Sequence, residues 1–433
     1  MGHLSKSRLL KNLSFVYLLQ ISNYLLAFLL TPYLARTLDV SGFGSYSYCL
    51  SVNAYLWMLI DWGYGTGAVR EVALNREDPD KLRSVFWTIL RGRFLLAIPA
   101  TGLLMAFAVV GKANIPMIVI ASGLLTIVGA TLSCDWFVQG VERMGIYLFT
   151  SLAARIATVV LTLVLVRGPE DMWIAALLHG GIGIFGGVAG FVVVCLLYRM
   201  RYERGSLRIS MRQILEFRHY FLLRTNALLY VLAAPVVLGI VSTASQLGLF
   251  AGADKIARIA ATMVGPLSLV IAPRIFATMG SSRQAAARIS GRFVALQIAL
   301  TGSASVGLFV LAEPLAHIIL GASYGGSVDI IRLLSPLPLV IGLSGALSNQ
   351  FLVPLGHAKQ LSRITLFTSL FYICALFALC YAFGANGAAG SLMLAEALMI
   401  VGCATILLLR ERAYLSEALA GVTDIRLSSL FRR

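Results

Sequence analysis

The chain has 433 residues and a formal net charge of +16, yet only 12% of its residues are charged and 59% are apolar. Soluble domains carry roughly 25% charged residues, so this composition excludes a soluble globular fold. A hydrocarbon core about 30 Å thick takes on the order of 20 apolar residues per helical span. Twelve such spans can be laid down in chain order: 13–35, 43–66, 94–110, 115–138, 145–166, 172–198, 220–242, 246–273, 294–320, 327–352, 361–383 and 387–409. The expected fold class is therefore all-α, a polytopic membrane protein.

Ionised side chains inside a bilayer cost roughly 2.5–3.5 kcal/mol each on insertion scales, so those that persist face a cavity or a partner. Span one follows Lys6, Arg8 and Lys11 and has no small-residue cleavage site, so it reads as a span and not as a signal peptide. Spans two and four carry Asp61 and Asp135 near their inner ends, within reach of loop arginines. Span five has Arg155 at its middle, with Ser151, Thr158 and Thr162 on the same face at helical spacing. That stripe reads as the wall of a wet cavity, against snorkelling or a structural partner. Arg224 lies near the cytoplasmic end of span seven, where it either contacts substrate or snorkels.

Span eight carries Asp254, Lys255 and Arg258. Asp254 and Arg258 are four apart and can pair along one helix, but a single acid cannot neutralise both cations. Arg332 follows Asp329 by three residues in span ten, where pairing competes with binding. Glu396, mid-span twelve, has no sequence-local cation. It is either a carboxyl that loads and releases a proton or a cross-helix partner of Arg155 or Arg258. An interior with several arginines suits an anionic cargo, because guanidinium binds phosphate in bidentate geometry. The candidate binding set is thus Arg155, Lys255, Arg258, Arg224 and Arg332, and the candidate ion-coupling or gating set is Glu396, Asp61, Asp135 and Asp254.

With the N-terminus inside, 27 of the 35 Lys and Arg fall in inner gaps, three in outer gaps and five in spans. Such asymmetry over short loops places both termini in the cytoplasm. It also accounts for most of the net charge without nucleic-acid binding, and it suits anionic lipid headgroups. The outer gaps are short, and no phosphate-loop motif is present, so ATP hydrolysis is not expected. The six cysteines and five histidines form no metal-like spacing, and neither metal nor cofactor is expected. The stretch from Glu411 to Arg433 is basic and amphipathic, as for a segment lying on the inner leaflet or docking a partner.

The most polar interior stretch, Arg199 to Arg218, leaves six spans on either side. Ser41, Gly44 and Tyr46 align with Ser245, Gly248 and Phe250 at a constant offset of 204. The expectation is two pseudo-symmetric six-helix lobes, residues 1–210 and 211–409, followed by a tail at 410–433. Transporters often have this build, with the substrate site between repeats. Prolines within spans, among them Pro99, Pro235, Pro266, Pro273 and Pro338, favour a bundle that moves.

Four segments resemble the polysaccharide-repeat flippases of O-antigen type: Pro32–Leu38 running into Phe43–Tyr46; Asp61-Trp62-Gly63-Tyr64; Trp136-Phe137-Val138-Gln139-Gly140-Val141-Glu142-Arg143; and Asn349–Gly356. The third looks like the family's Trp-Phe-x-Gln-Gly-x-Glu-Lys/Arg signature. The resemblance implies a two-lobed exporter-superfamily bundle in the bacterial inner membrane. Such proteins move undecaprenyl-pyrophosphate-linked oligosaccharides to the outer leaflet by alternating access, drawing on a proton or sodium gradient. It further implies a cationic central cavity and work alongside polysaccharide polymerase and chain-length proteins. A multidrug antiporter is the first rival, expected to favour acids over arginines in its cavity. A lipid II flippase is the second, expected to have more than twelve spans. A membrane enzyme is disfavoured for want of a large outer loop.

Overall fold

The computed structural model describes residues 29–111, 115–262, 271 and 274–423, the side chains of 223–231 excepted. Most of the first span, Pro266, Pro273, the Arg224 side chain and the tail beyond Thr423 lie outside the described residues. Every described regular element is helical. Contacts divide the chain into two units, Met1–Gly248 and Leu249–Arg433. The first contains α1 (Asp39–Asp61), α2 (Tyr64–Asn75), α3 (Pro79–Val110), α4 (Pro116–Leu132), α5 (Asp135–Gly140), α6 (Met144–Leu165), α7 (Met172–Leu197) and α8 (Leu207–Val241). α9 (Ala244–Thr262) begins just before the division. The second unit continues with α10 (Arg283–Val310), α11 (Ser327–Leu334), α12 (Leu337–Ala346), α13 (Ala358–Arg410) and α14 (Arg412–Thr423).

Among the described residues, seven helical stretches are long and apolar enough to cross a bilayer. The last of them, Ala358–Arg410, is two helices, because Gly384 adopts φ 54° and ψ −127° and breaks the run. A side chain is strained in that left-handed region, and glycine is not. No more than 56% of any of the seven apolar windows is buried within the protein. Side chains such as Ile98, Val109 and Leu196 point outward, an apolar surface that only lipid can cover. The chain is a multi-pass membrane protein.

α3 starts 15 residues earlier than its expected span at 94, at Pro79. Asp78 caps it, its carboxylate accepting from the Lys81 and Asp80 amides at 3.1 and 3.2 Å, and Pro79 supplies the preset first position. The Lys81 amide bond holds the Asp78 carboxyl below the usual carboxylate range. Arg83, Arg91 and Arg93, expected in a gap, therefore ride on this helix, and Arg93 is only 2% exposed.

An aromatic core packs around that region, with Tyr64, Phe86, Trp136, Phe137 and Phe217 all buried. The signature residues Trp136 and Phe137 are part of this core and have no solvent access. The Asp61–Tyr64 motif forms the joint between α1 and α2. Trp62 and Gly63 turn the chain with φ 37° and 80°, and the Trp62 indole donates to the Ile214 carbonyl of α8 at 2.8 Å. α8, assigned by sequence to the second lobe, packs on α1 and α3 within the first unit.

α4 and α7 cross closely because both present small residues. A Cβ on Gly129 would strike the Gly183 backbone, and one on Gly180 would lie 2.5 Å from the Ser122 carbonyl oxygen. The turns aligned by the 204-residue offset also meet. A Cβ on Gly44 would strike the Ala244 carbonyl, and one on Gly248 would strike the Val40 carbonyl. The contact is reciprocal, since 40 pairs with 244 by the same offset that pairs 44 with 248.

Inside the second unit a polar seam joins α10 to α12 and the π-helical turn Leu347–Leu352 that extends it. Gln297 donates to the Gly342 carbonyl and accepts from Gln350, both at 2.8 Å. α14 lies on α10, where Gly291 admits the Ala418 backbone and Arg288 pairs with Glu417 at 3.1 Å. The first part of the basic 411–433 stretch thus packs on its own bundle.

Candidate functional site

Five helices of the first unit, α1 and α4 to α7, line a cavity of about 260 Å³. α1 contributes Leu50, Asn53, Ala54 and Trp57, which share one face at helical spacing. α6 contributes Tyr147, Ser151 and Arg155, again one face. The turn from α4 into α5 adds Ser133 and Asp135, and α7 adds His179 and a strip of glycines. The glycines divide in function. Gly180, Gly183 and Gly187 admit neighbouring backbone or the Trp57 ring, whereas Gly190 has nothing within 4 Å of its Cβ position and Gly186 only the Ala154 methyl at 3.9 Å.

Arg155 is half-buried, and its Nε donates to Ser151 Oγ at 3.2 Å. Among the described residues no carboxylate lies within 4 Å of its guanidinium. A guanidinium has five donors in a planar fork, so most of its capacity faces the cavity unspent. Thr158 and Thr162 continue the Arg155 stripe but are buried in packing, Thr158 donating to the Ala154 carbonyl at 2.9 Å. On α6 the cavity lining ends at Arg155.

Asp135 lines the same cavity and accepts from Ser133 Oγ at 2.6 Å. Behind it sits Arg93, which unites three segments. Its Nη2 lies 3.4 Å from Asp61 and 3.9 Å from Asp135. Its Nη1 donates to the carbonyls of Ala130 and Ser133 at 2.9 and 2.7 Å. These carbonyls end α4, where the last turn leaves acceptors unpaired and the helix dipole is negative, so a buried cation is favoured there. The rings of Tyr64 and Trp136 flank the guanidinium at 5.5 and 5.9 Å. Asp61 and Asp135 do meet an arginine, as their inner-end positions suggested, but it is one inside a helix.

The remaining sequence candidates belong to the second unit, in separate local settings. Arg258 Nε donates to both Asp254 oxygens, at 2.7 and 2.9 Å, which is the intrahelical pair that their spacing allowed. Lys255 is partly buried beside them. Arg332 is 44% exposed and lies 3.8 Å from Asp329. Glu396 is buried between helices and accepts from Ser344 Oγ at 2.8 Å. Sequence reasoning missed Arg93, Asn53, Trp57 and His179. Arg93 was hidden by the late start assigned to span three. The other three carry no formal charge, and their only signal was polar and aromatic content within otherwise apolar spans. Among the described residues no cluster of His, Cys, Asp and Glu is arranged to hold a metal.

The fold is that of known exporters. It aligns with a structure titled "Lipid II flippase MurJ, inward closed conformation" at a TM-score of 0.69, with 12% identity, covering 96% of this chain and 92% of that one. A multidrug resistance MATE family transporter of the MOP superfamily aligns at 0.64, also with 12% identity, covering 90% and 98%. In sequence, the chain is 26% identical over 396 residues to an Escherichia coli (strain K12) protein named "Putative O-antigen transporter", covering 91% of this chain and 95% of that protein. A Shigella dysenteriae protein of the same name is 26% identical over 400 residues, covering 90% and 98%. Residues 9–279 match the family described as "Polysaccharide biosynthesis protein". With that match over more than half its length, the chain belongs to the polysaccharide biosynthesis protein family.

Proposed function

We propose that this protein is a flippase that carries an undecaprenyl-pyrophosphate-linked oligosaccharide across the bacterial inner membrane by alternating access. The observation that carries the reading is Arg155: a guanidinium on a cavity wall, bonded to a hydroxyl and to no acid. A pyrophosphate offers that fork its natural acceptors, while sugars suit polar walls and the polyprenyl tail can remain in lipid. The sequence relatives named for O-antigen transport support the same cargo class. A multidrug antiporter for cations would place an unengaged acid in the cavity; the acid here, Asp135, is held by Ser133 and sits beside Arg93.

In this reading the chain has twelve spans in two lobes, 1–210 and 211–409, with both termini in the cytoplasm and no catalytic step or cofactor. Lys255 and Arg258 keep the cargo-binding role expected of them, and Glu396 couples transport to a proton gradient. The experiment is translocation in liposomes of a fluorescent undecaprenyl-pyrophosphate oligosaccharide, scored by an outside sugar-binding reagent. Wild-type protein is expected to expose the cargo saturably, and Arg155→Ala to lose at least about tenfold in rate, the scale of one lost charge-assisted bond. Wild-type rates in Arg155→Ala would remove the guanidinium from the mechanism.

A further inference from the structure

Asn53 is 4% exposed, yet neither its Nδ2 nor its Oδ1 has a hydrogen-bond partner. Buried amides are almost always paired, so an orphan at both ends asks for an explanation. Among the described residues, several buried side chains have an unpaired polar atom, but Asn53 alone of these lines the cavity. Trp57, one turn further along α1, lines it too, and its indole N–H has no partner among the described residues. The contrast with its neighbours is informative. Trp62, Trp87 and Trp136 each donate to a carbonyl, at 2.8, 2.8 and 3.0 Å. Trp57 instead lays its ring against Gly183, where the missing Cβ makes room for it.

Building on the cargo reading above, we propose that Asn53 and Trp57 form a saccharide subsite beside the Arg155 phosphate site. A carboxamide offers one donor group and one acceptor, the pair that a pyranose matches with two vicinal hydroxyls or with an acetamido group. An indole offers an apolar face for the C–H side of the ring and a donor at its edge. Neither residue carries charge, so the pair discriminates the neutral part of an amphipathic anion, while Arg155 holds the charged part. A volume of about 260 Å³ lies below the roughly 300–1,000 Å³ of whole-ligand pockets, and so takes a portion of the cargo. The amide sits just behind the cavity surface, and no hydrogen bond holds it there, so turning it toward a ligand breaks none.

The test is calorimetric binding to the full-length protein in nanodiscs, using geranyl diphosphate and its N-acetylglucosamine and galactose esters as probes. The wild type is expected to bind at least one sugar-bearing probe about tenfold tighter than bare geranyl diphosphate, the yield of one or two buried hydrogen bonds. Asn53→Leu, nearly isosteric, should erase that preference, leave geranyl diphosphate affinity unchanged and melt no lower than the wild type. Arg155→Ala should weaken all probes alike. Full sugar preference in Asn53→Leu overturns the subsite, and a loss of all binding in Arg155→Ala in that same series leaves the phosphate reading standing. A melting temperature of Asn53→Leu well below wild type makes the amide structural and also overturns the subsite. Failure of the wild type to bind any probe removes the cargo reading and the subsite with it.

Discussion

Arg93 and Arg155 both lie in membrane-spanning helices, and their surroundings give them opposite roles. Arg93 is enclosed by two carboxylates, two carbonyls and two aromatic rings. Removing it takes the guanidinium from the buried Asp61 carboxylate and from two helix-end carbonyls, so Arg93→Ala is expected to cost about 3–5 kcal/mol and to lower the melting temperature sharply. Arg155 has one hydroxyl partner and an open side, so Arg155→Ala should cost no more than about 1 kcal/mol while slowing cargo exposure at least about tenfold. Thermal unfolding of the two purified variants checks the pair, and equal destabilisation would contradict the distinction. At Glu396 the Ser344 hydroxyl can still donate to the side-chain carbonyl of Glu396→Gln. That variant should therefore fold normally and respond less to an imposed proton gradient; an unaltered response would reduce Glu396 to a packing role. Residue-level legibility followed charge. Arg155 stood out because one cation interrupts an apolar run, whereas Asn53 and Trp57 look like ordinary polar and aromatic content until their unpaired atoms are seen.

The elements are held by small residues whose roles differ with position. Gly129 sits at the α4–α7 crossing, and Gly186 and Gly190 border open space in the cavity. Alanine at an unobstructed interior helix position gains up to about 1 kcal/mol over glycine. Gly190→Ala should thus raise the melting temperature, while Gly129→Ala should lower it by forcing the helices apart. Larger side chains separate stability from transport. Gly186→Leu is expected to fold and to fail in translocation by filling the cavity, and normal transport in that variant would show that the cargo passes elsewhere. The Gly44 and Gly248 turns make a similar prediction. Leucine at either cannot form the reciprocal contact with Ala244 or Val40 and should reduce both stability and transport. Sequence spacing exposed the apolar runs and the 204-residue offset. It did not reveal that α3 begins as early as Pro79, because the cations on its first turns read as a loop. It also did not reveal that the Trp136-Phe137 signature is buried core, since a motif marks a position without saying which neighbours surround it.

For the molecule as a whole, class and fold were legible because the bilayer imposes them: long apolar runs, short gaps and cations kept to alternate gaps admit few other architectures. The site was legible only in part. Its walls come from α1 and from α4 to α7, and no local spacing brings Asn53 to Arg155. The charges placed together by sequence also split, with Asp254 engaging Arg258 and Asp329 lying near Arg332, while on the cavity wall Arg155 has no carboxylate within 4 Å among the described residues. The central claim is that this wall carries a lipid-linked saccharide by its phosphate. The most direct measurement is reconstituted translocation of a fluorescent undecaprenyl-pyrophosphate oligosaccharide by wild type and Arg155→Ala, with the folded state of both verified by melting. Saturable exposure by the wild type and its loss in the variant is the predicted result. Exposure that is equal in both, or absent from the folded wild type under proton and sodium gradients alike, would contradict it.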